Sequence, residues 1–233
     1  MKKILLLLLM AVALVAWHGK AGAVTVYMND FEGPVGAEWS NTSTDTTPVG
    51  SRRFLGQFNN ETVSLTLTGL PSHTDVTLSF DLFLINSWDG NVDCCFDGPD
   101  FWGLDVMGGP TLLYTTFSNL DEASFSQSYP EKYPPTSSYP AYTGASEVDT
   151  LGYTFFGDSV YSLSFTFPHT DGSIVFNFYG SGLQAIGDES WGLDNVKVEV
   201  GPSVAPVPEP STVVLLGVGI AGLAALGRRK KRD

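Results

Sequence analysis

Residues 74–85 read TDVTLSFDLFLI. Val76, Leu78, Phe80, Leu82 and Leu84 occupy every second position, so an extended chain puts all five on one face. A helix turns through 3.6 residues and would scatter them around its circumference. The stretch therefore predicts a long strand with one side buried. The same period recurs on both sides of it. In TVSLTLTGL (62–70), Val63, Leu65 and Leu67 oppose Thr62, Ser64 and Thr66. In VYSLSFTF (160–167), Tyr161, Leu163 and Phe165 repeat the alternation. FWGLDVMG (101–108), TLLYTTF (111–117), SIVFNFYG (173–180) and WGLDNVKVEV (191–200) are further strand candidates, separated by Gly, Pro, Asn and Asp. Nothing between residues 24 and 207 has the spacing of an amphipathic helix. About nine or ten such strands need two sheets to bury their apolar faces. The expectation is an all-β, jelly-roll-like β-sandwich over residues 24–203. One segment breaks the rhythm: residues 118–158, rich in Tyr, Pro, Ser and Gly, predict a long loop across one end or face.

The two termini have a different character. MKKILLLLLMAVALVAWHGKAGA (1–23) places Lys2 and Lys3 before an apolar run and ends on Ala21, Gly22 and Ala23. That order predicts a signal helix delivered to the secretion machinery and cleaved after Ala23. At the other end, residues 204–233 contain VPEPS, an apolar run over 211–227, and Arg228, Arg229, Lys230, Lys231 and Arg232. As a helix, 17 residues reach about 26 Å, enough for a single short span of a bilayer core about 30 Å thick. The basic cluster would stay on the cytoplasmic side of the inner membrane. This tail resembles the PEP-CTERM sorting signal of exopolysaccharide-producing bacteria. The resemblance implies an exosortase as partner, processing near Pro208, Glu209 and Pro210, and an anchor that is only transient. It further implies a final place at the cell surface or in the extracellular matrix.

Charge narrows the partners. Residues 24–207 hold four basic residues, Arg52, Arg53, Lys132 and Lys197, against 23 acidic ones, a formal charge of −19. Phosphate backbones need a basic footprint, so nucleic acid is excluded as a partner. Divalent cations would relieve the self-repulsion of such a surface. The only cysteines, Cys94 and Cys95, are adjacent and cannot staple distant strands. They leave open a strained vicinal disulfide, a bond to another chain, or two half-buried thiols.

Three features suggest sites. NDFEG (29–33) and WGLDNV (191–196) bracket the domain, and first and last strands of a jelly roll lie side by side. The pairing resembles calcium-stabilised carbohydrate-binding modules of the jelly-roll class, which implies a structural Ca2+ held by Glu32, Asp194 and backbone carbonyls. The alternative is that Glu32 caps a turn and Asp194 accepts backbone hydrogen bonds. Next, DGNVDCCFDGPD (89–100) sets Asp89, Asn91, Asp93, Asp97 and Asp100 at positions 1, 3, 5, 9 and 12 of a calcium loop. Cys94 replaces the turn glycine, Asp100 the bidentate Glu, and no helices flank it, so an EF-hand is excluded. A looser Ca2+ loop and a solvated acidic loop remain the alternatives. Finally, Trp88, Tyr129, Tyr133, Tyr139 and Tyr142 are candidates for stacking against sugar rings. Trp102 and Trp191 each precede Gly-Leu-Asp and are expected to start strands and pack inside.

No catalytic constellation emerges. EVDTLG (147–152) resembles the Glu-x-Asp-x-x-Glu signature of a β-sandwich glycosidase family, but Gly152 stands where the second acid belongs. Retaining hydrolysis needs both carboxyl groups. His73 and His169 sit near turns, expected to face solvent, and no nucleophile elbow, zinc pair or phosphate loop is present. The functional expectation is a non-catalytic exported protein with a structural or adhesive role, or a lectin-like module for an extracellular polysaccharide.

Overall fold

The structure, a computed structural model, describes residues 22–92, 98–122 and 124–202. The sorting tail with Pro208, Glu209 and Pro210, the helix expected at 211–227, residues 1–21, Asp93, Cys94, Cys95 and Asp97 lie outside the described residues. Ala23 is exposed and directly precedes the first strand. Residues Ala23–Pro202 form one compact unit. No helix among the described residues is long and apolar enough to cross a membrane.

Eleven strands are found among the described residues: β1 (Val24–Asn29), β2 (Thr44–Thr46), β3 (Arg53–Phe58), β4 (Thr62–Thr68), β5 (His73–Asn86), β6 (Phe101–Val106), β7 (Thr111–Thr116), β8 (Glu147–Val148), β9 (Asp158–Pro168), β10 (Ser173–Ser181) and β11 (Glu189–Pro202). One sheet runs β2-β3-β11-β5-β9-β8, with β1 added beside β11; the other runs β4-β10-β6-β7. Every pairing is antiparallel. If the short edge strands β1, β2 and β8 are set aside, β3 pairs β11, β4 pairs β10, β5 pairs β9 and β6 pairs β7. This nesting of first with last, working inward, is the jelly roll.

The predicted alternation is what holds the two sheets together. Val76, Leu78, Phe80, Leu82 and Leu84 of β5 are all buried, facing Val63, Leu65 and Leu67 of β4 and Phe176 and Phe178 of β10 in one core. Fully burying such a side chain contributes about 1.5–3 kcal/mol relative to leaving it exposed. Trp102 and Trp191 meet edge to face inside it, ring centroids 6.2 Å apart. Phe83 and Ile85 have the opposite phase, yet they too are buried. With Phe54, Val160 and Leu151 they form a second, small cluster on the outer side of the larger sheet. The covering segment is fastened by Asp158, whose carboxylate accepts the backbone N–H groups of Thr150, Leu151, Gly152 and Tyr153 at 3.0–3.1 Å. The larger sheet is thus covered outside around Phe54, Phe83 and Ile85, and the smaller sheet keeps an outer face with aromatics on it.

The long segment predicted over 118–158 runs from the end of β7 to the start of β9 and contains only the two-residue β8. The bridge between Gln127 and Tyr139 folds it on itself.

Candidate binding face and carboxylate cluster

The outer face of the four-stranded sheet carries a row of rings. In β6, Trp102 and Leu104 point into the core, so Phe101, Gly103 and Asp105 point out. Tyr179 pairs with Gly103, and Gly103 with Tyr114. Gly103 leaves room for the ring of Tyr179, which lies across it: a Cβ at 103 would stand 2.1 Å from Cζ of that side chain. Tyr114 stacks on Phe101 at 4.9 Å with 7° between the planes, and Tyr133 meets Phe101 edge-on at 4.9 Å. Tyr114 and Tyr179 are 6.5 Å apart. Tyr133 is 39% exposed and the others half-buried. One residue pair further along, Ser64 donates to Asn177 Oδ1 at 2.8 Å and Asn177 Nδ2 to Asp105 Oδ1 at 2.9 Å. The face therefore offers contiguous aromatic surface beside a fixed row of hydroxyl, amide and carboxylate groups.

Of the tyrosines expected to stack on a ligand, only Tyr133 joins this face. Tyr129 turns inward against Phe117 and Tyr161, at 5.0 and 5.2 Å. Tyr142 donates its hydroxyl to the Asn119 carbonyl, and Tyr139 donates to Glu131 at 2.7 Å. Trp88 is corrected more strongly: it is fully buried, with Nε1 donating to the Ser190 carbonyl at 3.0 Å, and offers no face to a sugar. Phe101, Tyr114 and Tyr179 were missed.

The corner between the first and last strands holds arginines. Arg53 Nη1 donates to the carbonyls of Phe31 and Gly33 at 3.1 and 2.6 Å, and its backbone N–H to Glu32 at 3.0 Å. Arg52 lies 3.7 Å from Asp194 and 3.0 Å from Glu147. Asp194 accepts the Asn195 N–H at 2.7 Å. Glu32 thus accepts a backbone N–H from β3, and Asp194 accepts one from its neighbour with the Arg52 guanidinium beside it. Glu147 is spent on Arg52, so the glycosidase-like segment serves as an ion-pair partner. His73 is also corrected: it is buried, Nδ1 against Pro71 O at 2.6 Å and Nε2 against His169 Nδ1 at 2.8 Å.

Asp89 is brought to Asp100 and to Glu189, a residue the sequence reading did not pick out. One carboxylate oxygen of each lies within 4.8 Å of the others, and all three residues are buried. Asp89 follows β5, Asp100 precedes β6, and Glu189 starts β11, so three strand ends converge here. The loop is tied at its neck by Asp100 N–H to Gly90 O at 3.0 Å. Gly90 (φ +72°) has to be glycine, since a Cβ would stand 2.2 Å from the Ser126 carbonyl. Asp89 N–H donates to Asp100 Oδ2, and Gln184 N–H to Glu189 Oε2 at 2.6 Å. Burial, and then the charge of Asp100, push the Glu189 carboxyl well above the ordinary carboxylate range. Asn91 points elsewhere, accepting from Thr116 and Ser128 at 2.6 and 2.7 Å.

The family model for the PEP-CTERM protein-sorting motif matches residues 206–231. The motif marks an exported protein processed by exosortase. No curated protein matches the chain in sequence. Among solved structures the sandwich is similar to dimeric latent PorU from Porphyromonas gingivalis, with 10% identity and a TM-score of 0.40 over 82% of this chain and 15% of that one. It is similar to the tandem CBM22-1-CBM22-2 domain of Xyn10C from Paenibacillus barcinonensis (14%, 0.39, 83% and 50%). The CBM6cm-2 carbohydrate-binding module of Cellvibrio mixtus lichenase 5A, in complex with cellotriose, gives 13% and 0.34 over 77% and 99%. The chain thus spans 15% and half of the first two.

Proposed function

We propose that the protein is an exported, non-catalytic adhesive component that holds an extracellular polysaccharide on the outer face of the four-stranded sheet. The supporting observation is the row Tyr179, Tyr114, Phe101 and Tyr133 alongside the Ser64–Asn177–Asp105 hydrogen-bond chain. A pyranose presents C–H groups on its faces and hydroxyls on its rim; aromatic surface takes the former and fixed polar groups the latter. The charge of −19 over residues 24–207 favours a neutral glycan over an acidic one. The N-terminal segment takes the chain to the secretion machinery. Residues 211–227 then hold it in the inner membrane until exosortase acts near Pro208–Glu209–Pro210.

The test is affinity electrophoresis of the full chain, in detergent, through gels containing neutral polysaccharides. Wild type should be retarded by at least one of them, and Tyr114→Ala with Tyr179→Ala should weaken retardation by at least 10-fold while the near-ultraviolet circular dichroism of the core tryptophans persists. Unchanged retardation in that variant, or none in wild type, rejects this reading.

A further inference from the structure

We propose that Asp89, Asp100 and Glu189 bind a hard divalent cation, Ca2+, which ties together three strand ends of the sandwich. The first ground is local. Glu189 is fully buried, its Oε2 accepts the Gln184 N–H, and its Oε1 has no hydrogen-bond partner. A buried carboxylate oxygen left in that state costs several kcal/mol unless a cation or a proton meets it. It stands among the carboxylates of Asp89 and Asp100, within 4.8 Å.

The second ground is the whereabouts of the positive charge. All four basic side chains of residues 24–207 are engaged elsewhere: Arg52 with Glu147 and Asp194, Arg53 with the Phe31 and Gly33 carbonyls, Lys132 with the Thr111 carbonyl, Lys197 with Glu199. Among the described residues, none of these four side chains forms an ion pair with Asp89, Asp100 or Glu189. A domain with four cations has put two of them at the first-strand corner and none beside these three buried acids.

The donor set decides the ion. All ligand atoms are carboxylate oxygens, the choice of Ca2+ and Mg2+ rather than of zinc or copper. The Gln184 side chain reaches Asp89 Oδ2 at 3.4 Å and adds an amide to the wall. Ligands brought from three separate backbone segments suit the irregular, larger coordination of Ca2+ better than the strict octahedron of Mg2+. The competing chemistry is proton sharing among Glu189, Asp100 and Asp89, with Asp188 also near enough to repel charge. The two are separable, because a metal site needs the carboxylates ionised and a shared-proton site does not.

The test uses the full chain in detergent with Tb3+ as a luminescent stand-in for Ca2+. Trp88 adjoins Asp89, and Trp191 lies two residues beyond Glu189, so excitation of tryptophan should sensitise Tb3+ held between them. Wild type should show this emission, and Ca2+ should quench it by displacement more effectively than Mg2+. Glu189→Gln should lower the Tb3+ affinity at least 10-fold, with Asp89→Asn as a second variant should the first fail to fold. Ca2+ should raise the wild-type melting midpoint by several degrees over EDTA. A midpoint that is the same in Ca2+ and EDTA, or emission equal in wild type and Glu189→Gln, overturns the proposal and leaves shared protons as the state of the cluster.

Discussion

The ring of Tyr179 lies on Gly103, so that any side chain at 103 would run into its Cζ. The glycine weakens β6 by the absence of a packing group, yet it lets one tyrosine lie nearly flat on the sheet. Replacement by alanine displaces the far end of a flexible, surface-facing side chain and leaves the core residues Trp102 and Leu104 alone. Gly103→Ala is therefore expected to cost less than about 1 kcal/mol of stability but to weaken polysaccharide retardation several-fold. Denaturant melts paired with affinity gels check both halves.

Asp158 holds the cover of the second core cluster by four backbone N–H bonds. An asparagine supplies one acceptor oxygen instead of two, leaving unsatisfied either the Thr150 and Leu151 N–H groups or those of Gly152 and Tyr153. At about 1–3 kcal/mol for each buried group left unpaired, Asp158→Asn should lower stability by about 2–6 kcal/mol. Amide exchange of residues 150–153 should quicken in the same variant.

Asp194 is raised to about 6, first by burial and then by the neighbouring charges of Asp81 and Glu32, against the pull of Asn195 N–H and Arg52. The folded state therefore holds this proton more tightly than the unfolded chain does. The contribution is fully present below about pH 4 and is lost as pH rises through 6. A shift of this size corresponds to about 3 kcal/mol at most. Asp194→Asn should flatten the stability profile between pH 4 and 7, as read from urea midpoints across that range.

His169 titrates in the opposite sense, held below its ordinary value by burial and then by His73. Its folded state binds protons less readily than the unfolded chain, so stability is present above about 6.5 and falls as pH drops through the lowered value. His169→Gln should remove that part of the acid sensitivity. Two-dimensional NMR of the ring protons, or midpoints at pH 5 and 7, will show it.

Much of the architecture could be read from alternation alone. The seven runs quoted above coincide with β4, β5, β6, β7, β9, β10 and β11, because each buries one face and each is long enough to show its period. The strands β1, β2, β3 and β8 were not legible: β2 and β8 have three and two residues, and β3 (RFLGQF) is buried on both sides. The candidate sites were harder. Alternation that finds core residues also finds the residues opposite them, so Tyr179, Tyr114 and Phe101 could have been read from the outward phase of SIVFNFYG, TLLYTTF and FWGLDV, with Gly103 as the added signal. For the carboxylates, spacing along DGNVDCCFDGPD grouped Asp89 with Asn91, Asp93, Asp97 and Asp100. Glu189, which the fold brings to Asp89, is 100 residues away and enters only through the register that sets Asn86 opposite Glu189. The arginine-filled corner was invisible, since nothing in a one-dimensional string says whether an oxygen meets a metal or a guanidinium.

Strand β11 is gripped along its length, by β5 on one side and by β3 and then β1 on the other, and the chain leaves it at Pro202. The fourteen residues from Glu189 to Pro202 span about 45 Å, with the carboxylate cluster at the far end from that exit. A tether fixed beyond Pro202 and a load carried near Phe101 would therefore pull β11 lengthwise, straining its cross-strand bonds all at once instead of unzipping them one by one.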